Sequence, residues 1–309
     1  MCLKKNLTVI LSWTLFNLLF MSHAQAFFNW NASLDLIGGY RQDEIETLIK
    51  NPDCSHDYFT ENNLKIKPLH ILEIGLKGEI SICNYLIKGF TSKGRIYSGK
   101  YIEKTFNSLR DKDFSKSNFY AGHTQDYSIG IGYLYPIFKC FCFSSLKIGP
   151  VAGWSYHLQC NKIDNINSNS FSNYILDNLK YKTIWQGPWL GIETYFSLLC
   201  ITMKAGYEYH WSHWQAEKLG DEANYKVHLV QGRTKYGYGN VAFLDASISP
   251  FLCTQIGIEL KYQYWKAKEG KEKFQANKFN KDRSLLASNK IPYAKWESVG
   301  IQLYLGCAF

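Results

Sequence analysis

The stretch Leu64-Lys65-Ile66-Lys67-Pro68-Leu69-His70-Ile71-Leu72-Glu73-Ile74-Gly75-Leu76-Lys77-Gly78-Glu79-Ile80 decides the fold class. Leu64, Ile66, His70, Leu72, Ile74, Leu76 and Ile80 fall on one parity, and Lys65, Lys67, Glu73, Lys77 and Glu79 on the other. Successive side chains of a β-strand point to opposite faces, so this spacing describes a strand with one apolar and one charged face. The pattern recurs. Tyr127, Ile129, Ile131, Tyr133 and Tyr135 oppose Asp126, Ser128, Gly130 and Gly132. Leu146, Ile148, Ala152, Trp154, Tyr156 and Leu158 oppose Lys147, Gly149, Gly153, Ser155 and His157. Ile256, Ile258, Leu260, Tyr262 and Tyr264 oppose Gln255, Glu259, Lys261 and Gln263. Val299, Ile301, Leu303, Leu305, Cys307 and Phe309 oppose Ser298, Gly300, Gln302 and Tyr304.

Ten such segments start near Asn31, Leu64, Tyr85, His123, Ser144, Leu179, Ile201, Tyr236, Thr254 and Ala294, the first, third and sixth with weaker alternation. Short connections near 81–84, 136–143, 197–200 and 249–253 alternate with long polar ones near 43–62, 99–121, 160–178, 216–234 and 267–292. Short turns on one side, long loops on the other and an even strand count describe an all-β chain closed as an antiparallel up-and-down transmembrane barrel of about ten strands. A soluble β-sandwich would alternate too, but has no reason to sort its loops by length. Aromatic residues near strand ends, such as Tyr133 with Tyr135 and Tyr262 with Tyr264, fit interfacial girdles. The final Phe309 resembles the terminal aromatic assembly signal of outer-membrane proteins.

The beginning of the chain reads as an address. Lys4 and Lys5 precede an apolar run from Leu7 to Phe20, and Ala24-Gln25-Ala26 fits a small-x-small cleavage site. Residues 1–26 are therefore expected to be a secretory signal peptide and 27–309 the barrel. The run is too short for a spanning helix, and no later segment is long and apolar enough to be one. With 309 residues, 20% charged side chains and a mean hydropathy of −0.25, the chain is not a polytopic helical membrane protein. Without the two leader lysines its formal charge would fall from +9 to 33 − 26 = +7.

Several motifs carry a resemblance. Gly130-Ile131-Gly132-Tyr133, Trp185-Gln186-Gly187-Pro188-Trp189-Leu190-Gly191, Tyr207-Glu208-Tyr209-His210-Trp211 and Tyr262-Gln263-Tyr264-Trp265, with a closing strand from Trp296, resemble the Protochlamydia outer membrane protein family. The likeness runs from about Tyr85 to Phe309 and implies a porin-like barrel of the bacterial outer membrane with little defined chemistry. Ten strands also invite comparison with omptin proteases and ten-stranded adhesins.

Of nine cysteines, eight follow the leader. Cys83, Cys140, Cys142, Cys200 and Cys253 lie in or beside short turns, and Cys307 ends the last strand; all six fall on the rim facing the periplasm. Cys54 and Cys160 fall on the outer side. An exported chain meets oxidising conditions, so disulfides are one reading and buried free thiols the other. The family resemblance brings in disulfide-linked envelopes, and with them cross-links to other cysteine-rich envelope proteins and a Cys54–Cys160 pair. Cys140-Phe141-Cys142 lacks the second ligand pair of a zinc site. No metal and no cofactor is expected.

Lys65, Lys67, Lys77, Lys147, Lys204 and Lys261 are expected to face inward, against Glu73, Glu79, Asp126, Glu193, Glu208, Asp245 and Glu259. About eight strands give a barrel filled by side chains and 16 to 18 leave a water channel, so ten argue against a wide pore. The balanced charges read as a salt-bridged fill, in tension with the porin label; small solutes would be partners only of an open lumen. The segment from Lys266 to Lys290 has eight Lys or Arg against three acidic residues. It reads as a solvated outer loop or as a contact for anionic headgroups or glycans. Nucleic acid is not expected, because no motif accompanies the charge. Outer-membrane lipid is the expected partner. Omptin proteases pair acidic residues on one wall with an Asp–His pair on the other. Glu208 and His210 share the inward face of one strand, where Glu208 could orient His210 as a general base. The expected partner wall, Gly99 to Glu103, has no acidic pair. The chain is therefore read as not an enzyme, with Glu208 and His210 kept as the alternative.

Overall fold

The computed structural model describes residues 30–51, 60–107, 112–119, 121–140, 144–163, 167–168, 177–222, 225–251, 253–277 and 285–308. The expected signal peptide, Cys54, Cys142 and Phe309 lie outside them. The strands are β1 (Trp30–Asn51), β2 (Thr60–Ile82), β3 (Tyr85–Asn107), β4 (Lys112–Phe119), β5 (Ala121–Tyr133), β6 (Tyr135–Cys140) and β7 (Ser144–Ile163). They continue with β8 (Asn167–Ser168), β9 (Asp177–Leu198), β10 (Ile201–Glu222), β11 (Tyr225–Phe251), β12 (Thr254–Asn277) and β13 (Leu285–Ala308). Ten of them, in the order β1, β2, β3, β5, β7, β9, β10, β11, β12, β13, form one antiparallel ring that closes where β13 pairs with β1. β4 and β6 prolong the stave of β5, pairing with β3 above and β7 below, and β8 pairs with β4. No helix among the described residues is long and apolar enough to cross a membrane; closure satisfies every backbone amide without one.

One rim is made of tight hairpins. Ile82 pairs with Tyr85, Leu198 with Ile201 and Phe251 with Thr254, leaving two residues in each turn. Cys83 (φ 57°), Leu199 (φ 54°) and Cys253 (φ 70°) take the left-handed conformation that such turns demand. Without glycine this costs roughly 1 kcal/mol each.

The outer surface carries an apolar belt. Along β12 the outward residues are Ile256, Ile258, Leu260, Tyr262 and Tyr264, and then Lys266 and Lys268. At about 3.3 Å per residue and a tilt near 40°, 256–264 spans roughly 20 Å, matching the height of an outer-membrane belt. Ile129, Ile131 and Leu303 in the same belt are 61%, 65% and 63% exposed, which only lipid makes tolerable. Tyr127, Trp154, Tyr156, Tyr209, Trp211 and Tyr238 ring its upper edge.

The strands then continue well past the belt, and the polarity inverts. Below the upper girdle the inside is polar and the outside apolar. Above it, Leu64, Ile66, Leu69, Ile71, Ile96, Tyr101, Phe119, Trp185, Trp214, Trp265 and Trp296 pack in the interior as one hydrophobic core. Much of what the sequence presents as long loops, including 43–51, 216–222 and 267–277, is strand in this projecting half.

The inversion corrects one expectation. Leu64 and Ile66 are buried inside, while Leu72, Ile74 and Leu76 face lipid, so they do not share a face. The register slips between Ile66 and His70 around Pro68. Lys65 and Lys67 accordingly point outward, pairing with Glu46 at 3.0 Å and Glu44 at 3.6 Å.

Candidate functional site: the lumen

Period two brings side chains from all ten walls to one axis. The register sets Lys77 and Glu79 of β2, Lys88 of β3, Asp126 of β5, Ser155 and His157 of β7, Glu193 of β9, Lys204, Glu208 and His210 of β10, Asp245 of β11, and Glu259 and Lys261 of β12 on the inner face. Glu73, Glu79, Asp126, Glu193, Glu208, Asp245 and Glu259 lie where the sequence places them, as do Lys77, Lys147, Lys204 and Lys261.

Four ionic groups cross the middle of the barrel. Lys77 Nζ lies 2.7 Å from Asp245 Oδ2 and 2.6 Å from Glu259 Oε2, and the Tyr304 hydroxyl donates to Asp245 Oδ1 at 2.7 Å. Lys88 holds Glu193 and, at 2.9 Å, Glu208. Arg41 gathers Asp43 at 3.0 Å, Glu73 at 2.6 Å and Asp126 at 2.5 Å, and Asp126 also meets His157 Nδ1 at 2.9 Å. Lys204 reaches from β10 to Glu79 of β2, on the opposite wall, at 2.7 Å. Buried ions survive only when paired, and here Lys77, Lys88 and Lys204 take their partners from walls across the barrel, so pairing also narrows the lumen. Between the groups remains a cavity of about 70 Å³ lined by Lys77, Lys88, Lys204, Glu208 and Lys261. A wider vestibule of about 420 Å³ opens toward the short-turn rim, lined by Ser33, Ser81, Ser145, Lys147, Ser197 and Thr202.

The sequence reading missed Arg41, Asp43, Asp35 and Lys88. With them, and without Lys65 and Lys67, six cations (Arg41, Lys77, Lys88, Lys147, Lys204, Lys261) among the described residues face nine carboxylates (Asp35, Asp43, Glu73, Glu79, Asp126, Glu193, Glu208, Asp245, Glu259). The lumen is acidic, not balanced. The missed residues sit on β1 and β3, where alternation is weak.

Above this layer lie tryptophans. Trp265 stacks on Trp296 with centroids 5.7 Å apart, and it also packs against His157 at 4.9 Å and His210 at 4.6 Å. Glycines make the seats: a Cβ on Gly239 would stand 2.4 Å from the Trp265 ring, and one on Gly153 2.6 Å from Trp189. Gly39 likewise lets Gln302 approach, while Gly38 faces open space.

Glu208 and His210 do come together: Glu208 Oε2 lies 3.0 Å from His210 Nε2, and His210 Nδ1 lies 3.1 Å from Ser155 Oγ. This has the order of acid, base and hydroxyl in a nucleophilic triad. Yet His210 and Ser155 are each 1% exposed, and neither lines the 70 Å³ or the 420 Å³ cavity. The arrangement can orient an imidazole; it leaves no room beside the hydroxyl for a peptide. Among the described residues no cluster of His, Cys, Asp and Glu could hold a metal ion.

Cys83, Cys200, Cys253 and Cys307 are exposed free thiols on the short-turn rim, and Cys160 is a half-buried free thiol on the projecting half. The side chains of Cys54, Cys140 and Cys142 lie outside the described residues. Burial raises the Cys160 thiol pKa, and Lys162, Lys182 and Lys180 oppose the shift only in part.

The family model described as Protochlamydia outer membrane protein matches residues 35–309. The chain belongs to that family. It is an integral β-barrel of the bacterial outer membrane. No curated protein matches it. Among solved structures it is similar to the outer membrane protease OmpT from Escherichia coli, with a TM-score of 0.68, 10% identity, and 90% of this chain and 96% of that one covered. It also matches the outer membrane protein OprG from Pseudomonas aeruginosa at 9% identity over 90% and 96% of the two chains, with a TM-score of 0.29. The first likeness establishes a shared fold and nothing about catalysis; the second is too distant to argue from.

Proposed function

We propose that this family member is a structural barrel of the cell envelope, porin-like in build and closed in its resting form. The observation that carries the reading is the lumen: ion pairs from opposite walls, among them Lys204–Glu79 and Lys88–Glu208, under a tryptophan layer. Single-channel recording of refolded protein in a planar bilayer tests it. Silence from protein with heat-modifiable migration supports a closed barrel; stable porin-sized steps refute it. Exposed thiols on the short-turn rim support cross-linking to other cysteine-rich envelope proteins. Identical migration with and without reductant, and no mass shift, would argue against it.

A protease is the second reading, supported by the hydrogen-bonded Ser155–His210–Glu208 chain. Burial of all three weighs against it. Cleavage of a dibasic peptide that is lost in Glu208→Gln and His210→Ala would establish it. For adhesion through 267–290, most side chains lie outside the described residues. Host-cell binding that survives deletion of that segment would dismiss it.

A further inference from the structure

Charge on the projecting half is arranged differently on its two sides. On β1, β2 and β13 the outward cations, the exposed Lys290 excepted, are paired: Lys50 with Glu61, Lys65 with Glu46, Lys67 with Glu44 and Lys295 with Glu297. On β3, β5, β7 and β9 they are not. Lys93, Arg95, Lys162 and Lys180 face outward, exposed, with no ion pair among the described residues; only Lys182 has one, Glu217 at 3.3 Å. The register gathers them. Lys93 sits beside Gln125, Arg95 beside His123, His123 beside Cys160, and Cys160 beside Lys182; Lys162 sits beside Lys180.

Below Lys93 and Arg95, on the lipid side of β2, β3, β5 and β7, lies an apolar groove of about 700 Å³ lined by Leu76, Ile87, Gly89, Thr91, Ile129 and Trp154. Gly89 floors it: a Cβ there would meet nothing within 4 Å. Thr91, at its upper end, is two residues from Lys93 and four from Arg95, roughly 7 and 13 Å along the strand. That is the step from acyl chain to headgroup at a membrane surface. Tyr127 and Tyr156, six ångströms apart at 6.0 Å, mark the interface beside it.

We propose that this face binds a phosphorylated lipid of the outer leaflet, with an acyl chain in the groove and its phosphate at Lys93 and Arg95. Charge complementarity alone would suit many anions. A groove continuous with the cations, at membrane depth, selects a lipid.

The experiment is native mass spectrometry of the refolded full chain, released from micelles doped equally with a bis-phosphorylated lipid A and a phosphatidylcholine. We expect the phosphorylated lipid to be retained preferentially. Lys93→Gln with Arg95→Gln should cut retention about 25-fold, taking about fivefold per lost charge near an anionic headgroup. Gly89→Leu, which fills the groove and leaves the charges, should also cut it; Lys93→Arg should restore it; Lys65→Gln with Lys67→Gln on the paired side should not change it. Heat-modifiable migration confirms that each variant has folded. Equal retention of both lipids, an unchanged Lys93→Gln/Arg95→Gln variant, or displacement by millimolar inorganic phosphate would each overturn the proposal.

Discussion

Arg41→Gln is the most informative single change. Arg41 holds Asp43 at 3.0 Å, Glu73 at 2.6 Å and Asp126 at 2.5 Å, and all four side chains are at most 5% exposed. Glutamine ends where the guanidinium begins, so some packing is lost as well, and three carboxylates are left facing one another without their cation. Breaking a buried ion pair from one side costs about 3–5 kcal/mol. Lys261 lines the same small cavity as Arg41, Glu73 and Asp126 and can offset only part of the lost charge. The loss should therefore lie within that range, a factor of roughly 10² to 10³ or more in the folding equilibrium. Urea titration in lipid vesicles, followed by tryptophan fluorescence, measures it; Trp296 lies 5.7 Å from the guanidinium and reports locally. Adding Glu73→Gln removes one of the stranded charges, so the double variant should be more stable than Arg41→Gln alone. A loss below about 1 kcal/mol for the single variant, or simple additivity in the pair, would refute the account of the layer as a coupled unit.

Gly239→Val should prevent folding or displace the indole, since its first side-chain carbon would stand 2.4 Å from Trp265; loss of heat-modifiable migration checks this, and Gly38→Ala, in open space, is the benign control. Thiol labelling at pH 8 in detergent should modify Cys83, Cys200, Cys253 and Cys307 quickly and Cys160 slowly, because burial raises the Cys160 pKa and the thiolate reacts. Peptide mapping by mass reads the rates, and Cys160 should catch up as pH rises; equal rates at pH 8 would contradict its burial.

The fold was legible because a barrel in lipid writes its geometry into every second residue. Each of the ten segments read from the sequence became a wall of the ring. The failures have one physical origin. In β2 the apolar residues from Leu64 to Ile80 keep to even numbers across Pro68 and His70, yet Leu64 points inward and Leu72 outward. Two changes coincide there: the register slip around Pro68 flips the face, and the passage out of the membrane flips the side on which apolar residues are wanted. Together they cancel in the sequence. Tryptophan shows the same ambiguity. Trp154 is at the lipid interface, whereas Trp185, Trp189, Trp214, Trp265 and Trp296 fill the interior, and residue type alone does not say which. Asp126, Glu208 and His210 were legible as inward because their strands alternate cleanly. Arg41 and Lys88 were not, since β1 carries Ile37 and Ile45 inside among polar residues and β3 carries Lys93 and Arg95 outside.

The two interior layers depend on each other, and the dependence fixes the sign of any leak. Ion pairs between opposite walls are strong only while water is kept out, because attraction falls as the local dielectric rises. Trp265 and Trp296 do that from above, and Trp265 packs on both His157 and His210, the imidazoles bound to Asp126 and Glu208. Replacing both indoles with alanine would therefore do more than empty a cavity. It would hydrate the charged layer and weaken pairs that the substitutions do not touch. Current should then exceed that of the native barrel, which the proposed closed lumen expects to be silent. The lumen that carries it still presents nine carboxylates to six cations, so the leak should favour cations. Under a tenfold KCl gradient the reversal potential should move toward the potassium limit of about 59 mV. A leak that favours chloride would mean that the acidic excess is already neutralised by protons, and the count of charges would no longer describe the electrostatics of this lumen.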